Sequence, residues 1–170
     1  MTQRRIHAEG SYAHYVTFSC YKRRRLLQSD RCKRIVLGVL ANELFHQKGQ
    51  CVGFVLMPDH VHALLWFPNE NQISAFMDKW KERSSKQIGT TIRGEFPAYA
   101  QKITASDPVG QARYYDFNIY SESKIREKLN YMHNNPVRAG LVSDILDWPW
   151  SSAAGWHLGK SVGVPLNWPP

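Results

Sequence analysis

With 170 residues, 43% of them apolar, the chain has enough sequence for one hydrophobic core and too much apolar content for intrinsic disorder. It is too short to close a (β/α)₈ barrel, the fold in which many hydrolases carry a His-x-His pair on the first strand. A formal net charge of +8 favours a polyanionic partner, the plain alternative being a soluble protein that is simply basic.

The three cysteines, Cys20, Cys32 and Cys51, are odd in number and far apart, so neither a disulfide framework nor a Cys-x-x-Cys metal site is expected. No stretch approaches the ~18 apolar residues of a spanning helix. The polar start Met1-Thr2-Gln3-Arg4-Arg5 is not followed by the apolar core of a signal peptide. These features lead to the expectation of a soluble cytoplasmic protein with no membrane contact. No linker or repeat divides the chain, so one domain over residues 1–170 is expected, with a tail from about 143 to 170.

In chain order, His14 to Cys20 is rich in β-branched and aromatic residues and reads as a first strand. The cluster Lys22-Arg23-Arg24-Arg25 follows, suited to phosphates or to a solvated loop. Ser29 or Asp30 can cap a helix to about Lys48, with Ile35, Val36, Val39, Leu40 and Leu44 on one face and Gly49 as a stop. Cys51 to Met57 reads as a second strand, Pro58-Asp59 as a tight turn, and His60 to Phe67 as a third strand antiparallel to it. Both strands are almost continuously apolar, which predicts a sheet covered on both faces.

Asn71 to about Ile88 forms a second helix, with Ile73, Phe76, Met77 and Trp80 inward and Lys79, Lys81, Arg83 and Lys86 outward. That basic face suits a nucleic-acid backbone, and equally an ordinary solvated surface. Gly89 to Gly110 lacks a period and reads as a long loop with a short element. Arg113 to Tyr120 is a fourth strand. Ser121 caps a third helix that carries Ile125, Leu129 and Met132 until Pro136 forbids continuation. The order strand, helix, strand, strand, helix, strand, helix predicts an α+β, ferredoxin-like (RRM-like) antiparallel sheet with an extra helix across its second face.

Two residues apart on a strand, His60 and His62 leave the backbone on the same side, a geometry suited to binding a metal. Asp59 can orient one of them, although a plain turn role is preferred. On the third helix Tyr131 lies well away from the apolar stripe and shares its side with Lys124, Lys128 and Asn135. A cationic setting is compatible with a nucleophilic tyrosine, and an exposed tyrosine without a task is the ordinary alternative. The Asn135 carboxamide suits a hard divalent ion such as Mg²⁺ or Mn²⁺, but Pro136 biases Asn135 away from helical geometry, which keeps Asn134 as the fallback.

Met57-Pro-Asp-His60-Val-His62, Tyr131-Met-His-Asn-Asn135-Pro-Val-Arg138-Ala-Gly140-Leu-Val and Trp148-Pro-Trp150-Ser-Ser together resemble the REP-associated tyrosine transposases, in the His-hydrophobic-His superfamily. The resemblance implies that His60, His62 and Asn135 hold the metal and that Tyr131 is the nucleophile. Asparagine where mobile insertion-sequence relatives usually have glutamine, and the added tryptophan tail, both favour the REP-associated branch. The implied reaction cleaves and rejoins single-stranded DNA at palindromic hairpins through a 5′-phosphotyrosine, without a hydrolytic water. Arg23, Arg24, Arg25, Lys79, Lys81, Arg83, Lys86 and Arg138 are the candidate phosphate contacts, and Trp148 or Trp150 can stack on an unpaired base or belong to the core. That branch implies a monomer, a homodimer being the alternative. Two other readings stay open: an RRM-like RNA-binding module, faintly echoed in Gly53-Phe54-Val55, and a metal-dependent phosphohydrolase using the same histidines.

Overall fold

The first strand, β1 (Ala13–Ser19), alternates side chains between two covered faces, with Val16 in one apolar cluster and Ala13 and Tyr15 in the other. The structure is a computed structural model that describes residues 12–102 and 107–170. The polar start at 1–5 and part of the expected long loop, 103–106, lie outside the described residues. After β1 come α1 (Asp30–Gln47), β2 (Gln50–Leu56), β3 (His60–Trp66), α2 (Gln72–Glu95), α3 (Pro97–Ala100), β4 (Tyr115–Ile119), α4 (Glu122–Arg138) and α5 (Ala153–Leu158). The strands form one antiparallel sheet in the order β2-β3-β1-β4. Helices α1 and α2 cover one face and α4 the other, which makes an α+β sandwich with β3 near its centre. Among the described residues no helix is long and apolar enough to cross a membrane.

Several boundaries differ from the sequence-based expectation, each for a physical reason. Helix α2 runs past Ile88 to Glu95 because Ile88 and Ile92 prolong its buried stripe, and that packing outweighs the weak helix propensity of Gly89, Thr90 and Thr91. Helix α4 continues through Pro136 to Arg138. Pro136 sits in the last turn, so it removes only one internal donor; the backbone N–H groups of Ala139 and Leu141 close the end on the carbonyls of Asn135 and Pro136 at 2.9 Å each. Asn135 therefore stays helical, one turn beyond Tyr131.

Strand β2 lies at one edge of the sheet, and the C-terminal tail covers it. Leu56 donates its N–H to Trp150 O (2.8 Å), Ser152 N–H donates to Phe54 O (3.0 Å), and Asn167 N–H donates to Cys51 O (2.9 Å). The indoles of Trp148 and Trp156 add donors to Leu56 O (3.1 Å) and Val52 O (2.8 Å). These contacts satisfy backbone groups that would otherwise invite another strand. Buried His133 on α4 lies 2.8 Å from Ser152 Oγ, which also accepts from Phe54 N at 3.0 Å, so helix, tail and edge strand share one polar knot.

Helix α4 comes close to the sheet because β2 has a glycine at its register shift. A Cβ at Gly53 would overlap Leu129 Cδ2 and crowd Ser152 Oγ at 3.0 Å. Gly53→Ala is expected to cost about 1–3 kcal/mol, the usual scale of overpacking, and to move α4 outward. Its denaturation midpoint measures the first effect. The face of β2 that an RRM-like RNA reader would expose is buried here, with Phe54 under α1 and α2 and Val55 under α4.

Candidate active site

Strand β3 turns His60 and His62 toward α4, while Val61, Ala63 and Leu65 enter the opposite core. The two imidazole centroids are 4.8 Å apart with planes at 84°. His60 Nδ1 is 2.6 Å from Asp59 Oδ1, and the other carboxylate oxygen meets Arg23 Nε at 3.0 Å. His62 Nδ1 is 2.7 Å from Thr17 Oγ1 and 3.0 Å from Tyr15 OH. With Nδ1–H donating to these oxygens, each neutral ring keeps its Nε2 lone pair for a metal, the arrangement that outer hydrogen bonds impose on ligand histidines.

Electrostatics supports the neutral form of His62. Burial, followed by the charges of His60, Arg138, Arg23 and Lys128, lowers its pKa to about 3. Burial alone would raise Asp59. The hydrogen bond from His60, with the charges of His60 and Arg23, outweighs burial and keeps the carboxyl below its ordinary range. Asp59 is thus more than a turn residue. Asp59→Asn is expected to weaken divalent-metal affinity by roughly 10–100-fold, which calorimetric titration with Mn²⁺ would measure.

Helix α4 supplies the other wall. Lys128, Tyr131, Asn135 and Arg138 recur along one face at helical spacing. Tyr131 is 49% exposed, and its ring centroid lies 6.1 Å from that of His62. The Arg138 guanidinium lies 4.3 Å from the Tyr131 ring centroid and donates to the Tyr131 carbonyl at 2.8 Å. Lys128 Nζ is 4.9 Å from the Tyr15 ring, 5.4 Å from Phe117 and 5.8 Å from Tyr131. Asn135 is half-buried, and its carboxamide makes no hydrogen bond among the described residues. Asn134 is exposed and turns its amide back to Asn130 O at 2.9 Å.

Among the described residues no three His, Cys, Asp or Glu are grouped to hold a metal. A metal held by the two imidazoles would therefore need a neutral or substrate oxygen to complete its ligands. The uncommitted carboxamide of Asn135 fits that need and the preference of Mg²⁺ or Mn²⁺ for oxygen.

A family model described as transposase, IS200-like, matches residues 8–135, a span that contains both histidines, Tyr131 and Asn135. The chain belongs to the IS200-like transposase family. A Haemophilus influenzae protein provisionally named REP-associated tyrosine transposase is 29% identical over 108 residues, which cover 63% of this chain and 60% of that protein. The Escherichia coli REP-associated tyrosine transposase is 24% identical over 116 residues, 68% of this chain and 59% of the relative. The chain thus spans about three fifths of the length of the curated relatives it matches. In fold it is similar to a REP-associated tyrosine transposase solved with a REP hairpin, at a TM-score of 0.70 and 17% identity over 98% of this chain and 93% of that one. A provisionally named transposase from Deinococcus radiodurans R1 aligns with a TM-score of 0.54 and 19% identity, over 79% of this chain and 97% of that one.

In this chain the expected basic contacts divide between two faces of the sheet. Arg23 and Arg138 border the histidines. Arg24 pairs with Asp107 at 2.9 Å, and Arg25 reaches Gln28 at 3.2 Å. Helix α2 packs on the far face, where Arg83 pairs with buried Glu43, Lys86 meets Glu82 at 2.6 Å, Lys81 donates to Ala112 O at 2.9 Å, and Lys79 is exposed. The structure does not bring these four to the histidines. Trp148 and Trp150 are half-buried against the cores, with Lys33 Nζ within 5.6 and 5.2 Å of their rings. Both rings pack against the apolar clusters, on the side of the alternative that assigns them to the core. Sequence reasoning missed Thr17, Tyr15 and the Arg23–Asp59 link. The polar alternation Tyr15, Thr17, Ser19 on β1 was the available signal.

Buried histidines also set the acid stability of the protein. Burial, with a smaller effect of His157, lowers His133 to about 4, and His62 lies near 3. An unfolded chain binds both protons near 6.5, so it holds more protons than the folded chain across the interval below that value. Stability is expected to fall as pH drops from about 6.5 towards 4. Urea midpoints of the metal-free protein between pH 7.5 and 4.5 would show this decline.

Proposed function

We propose that the protein is a REP-type single-strand DNA transposase that cleaves and rejoins DNA at palindromic hairpins through a 5′-phosphotyrosine. The observation that carries this reading is the 6.1 Å approach of the Tyr131 ring to His62, across two elements far apart in sequence. A strand histidine pair and a helix tyrosine this close can act on one and the same phosphodiester. The ferredoxin-like assignment is supported by the strand order β2-β3-β1-β4 with α1 and α2 on the same face.

By this reading His60, His62 and Asn135 hold Mg²⁺ or Mn²⁺. When bound, the ion supplies Lewis-acid polarisation of a non-bridging phosphate oxygen. Tyr131 Oη attacks phosphorus, the bond to the 3′ oxygen breaks, and that oxygen leaves as a 3′ hydroxyl once protonated from solvent. The phenol gives up its proton in the same exchange. Arg138, held against the Tyr131 ring and carbonyl, keeps the phenol facing the histidines and offers a cation to the phosphate. The new phosphotyrosine keeps the energy of the broken diester, so a second 3′ hydroxyl can displace Tyr131 without ATP. No water-activating carboxylate is needed; Asp59 serves the His60 ring instead.

The expected setting is the cytoplasm and the expected working unit a monomer acting on DNA hairpins with single-stranded flanks. Incubation with such DNA and Mg²⁺ or Mn²⁺ should give an SDS-resistant protein–DNA adduct that EDTA abolishes. Turnover to free ends with no adduct would favour a phosphohydrolase, and cleavage that persists in EDTA would remove the metal from the account.

A further inference from the structure

Strand β4 forms the other edge of the sheet, and its register places two large aromatics on the active-site face. Tyr115 pairs with Thr17, and Thr17 with His62, so the three stand in one row across β4, β1 and β3. Two strand spacings put Tyr115 roughly 10 Å from His62. Phe117 pairs with Tyr15, one step along the same face. Helix α4 packs over β2 and β3, leaving Tyr115 58% and Phe117 37% exposed. Edge strands ordinarily carry charged side chains at such positions, and a pair of solvent-facing rings there is unusual without a partner.

The surroundings indicate which partner. Lys128 Nζ lies over Phe117 (5.4 Å), Tyr15 (4.9 Å) and Tyr131 (5.8 Å), so one ammonium group joins Phe117 of the edge strand to the tyrosine of the site. Arg138 flanks the same tyrosine. Aromatic faces interleaved with cations form a surface for unpaired nucleotides, whose bases stack while their phosphates meet the charges. A net charge of +8 opposes pairing of this edge with a second copy.

We propose that Tyr115 and Phe117, with Lys128, form a stacking platform for unpaired bases of the DNA strand next to the scissile phosphate. The proposal rests on the reading of the site as a DNA strand-transfer centre. It gives base stacking to the edge strand instead of Trp148 and Trp150. The strand lies across β1 from the histidines to β4, with Lys128 neutralising its phosphate midway.

The test is DNA binding in EDTA, where no cleavage occurs, with hairpins that are blunt or carry an unpaired extension containing 2-aminopurine. Wild type should quench 2-aminopurine fluorescence and bind the extended hairpin more tightly than the blunt one. Tyr115→Ala with Phe117→Ala should lose the quench and weaken extended-hairpin binding by roughly ten- to a hundredfold, leaving blunt-hairpin affinity in place. Tyr115→Ala alone, altering a mostly exposed side chain, should show a partial loss, and Tyr115→Trp should keep the quench. Unchanged quench and affinity in the double alanine variant would overturn the proposal. So would an equal loss on both hairpins, or a wild-type dimer that the double variant converts to monomer, which would make the edge an interface between copies. Adduct formation by the wild type with metal, run in parallel, reads the catalytic assignment separately: its absence removes that assignment, whereas adduct with an unaffected double variant removes only the platform.

Discussion

Tyr131→Phe should reduce adduct formation by at least about a thousandfold, the scale on which enzymes lose rate with their nucleophile. The substitution deletes one oxygen from a half-exposed side chain and leaves the ring that lies 4.3 Å from Arg138 and 6.1 Å from His62. Folding and DNA affinity should therefore stay near wild type, which separates a lost nucleophile from a lost fold. Denaturing gels of labelled hairpin DNA would read the adduct, and thermal unfolding the stability. An equal adduct yield from Tyr131→Phe would move the nucleophile elsewhere. Tyr15 is a poor substitute, since burial is the main cause that pushes its phenol up to about 12.

His62→Ala should have the second largest effect, acting on both chemistry and fold. It removes one of the two proposed imidazole ligands, so the proposed metal-dependent cleavage should fall at least about a hundredfold, beyond the loss expected for Asp59→Asn. It also leaves the hydroxyls of Tyr15 and Thr17 facing a cavity under α4, because His62 is only 8% exposed. Losing hydrogen bonds of that kind costs about 0.5–1.5 kcal/mol each. Titration with Mn²⁺ would separate the two effects: a folded variant that still binds the ion like wild type would contradict the ligand role of His62.

How much of this could be seen in advance follows from which signals are local. The strand period around His60-Val61-His62 fixes which side the imidazoles take, and the apolar stripe Ile125, Leu129, Met132 fixes which side of α4 is left for Tyr131. These are short-range patterns, and they pointed to the histidines and the tyrosine that the fold brings together. Pro136 misled because its cost depends on place: in the last turn it removes one donor, and packing against the sheet retains the helix. Gly89 misled in the same way, since the burial of Ile88 and Ile92 is a tertiary fact.

The basic residues were the least legible. Nothing in the spacing of α2 reveals that Arg83 faces Glu43 of α1, or that the helix lies on the far side of the sheet from the histidines. Arg23 is the converse case. It stood in a charge cluster of ambiguous meaning, yet it braces Asp59 and thereby the His60 ring. The capped edge of β2 likewise depends on where the tail docks, which no local pattern encodes.

The most direct measurement of the central claim is the chemical identity of the covalent link. Protease and nuclease digestion of the adduct, followed by mass spectrometry, should recover a peptide carrying a nucleotide joined through its 5′ phosphate to Tyr131, with a free 3′ hydroxyl on the released strand. A nucleotide attached to any other residue, or a link through a 3′ phosphate, would contradict the account.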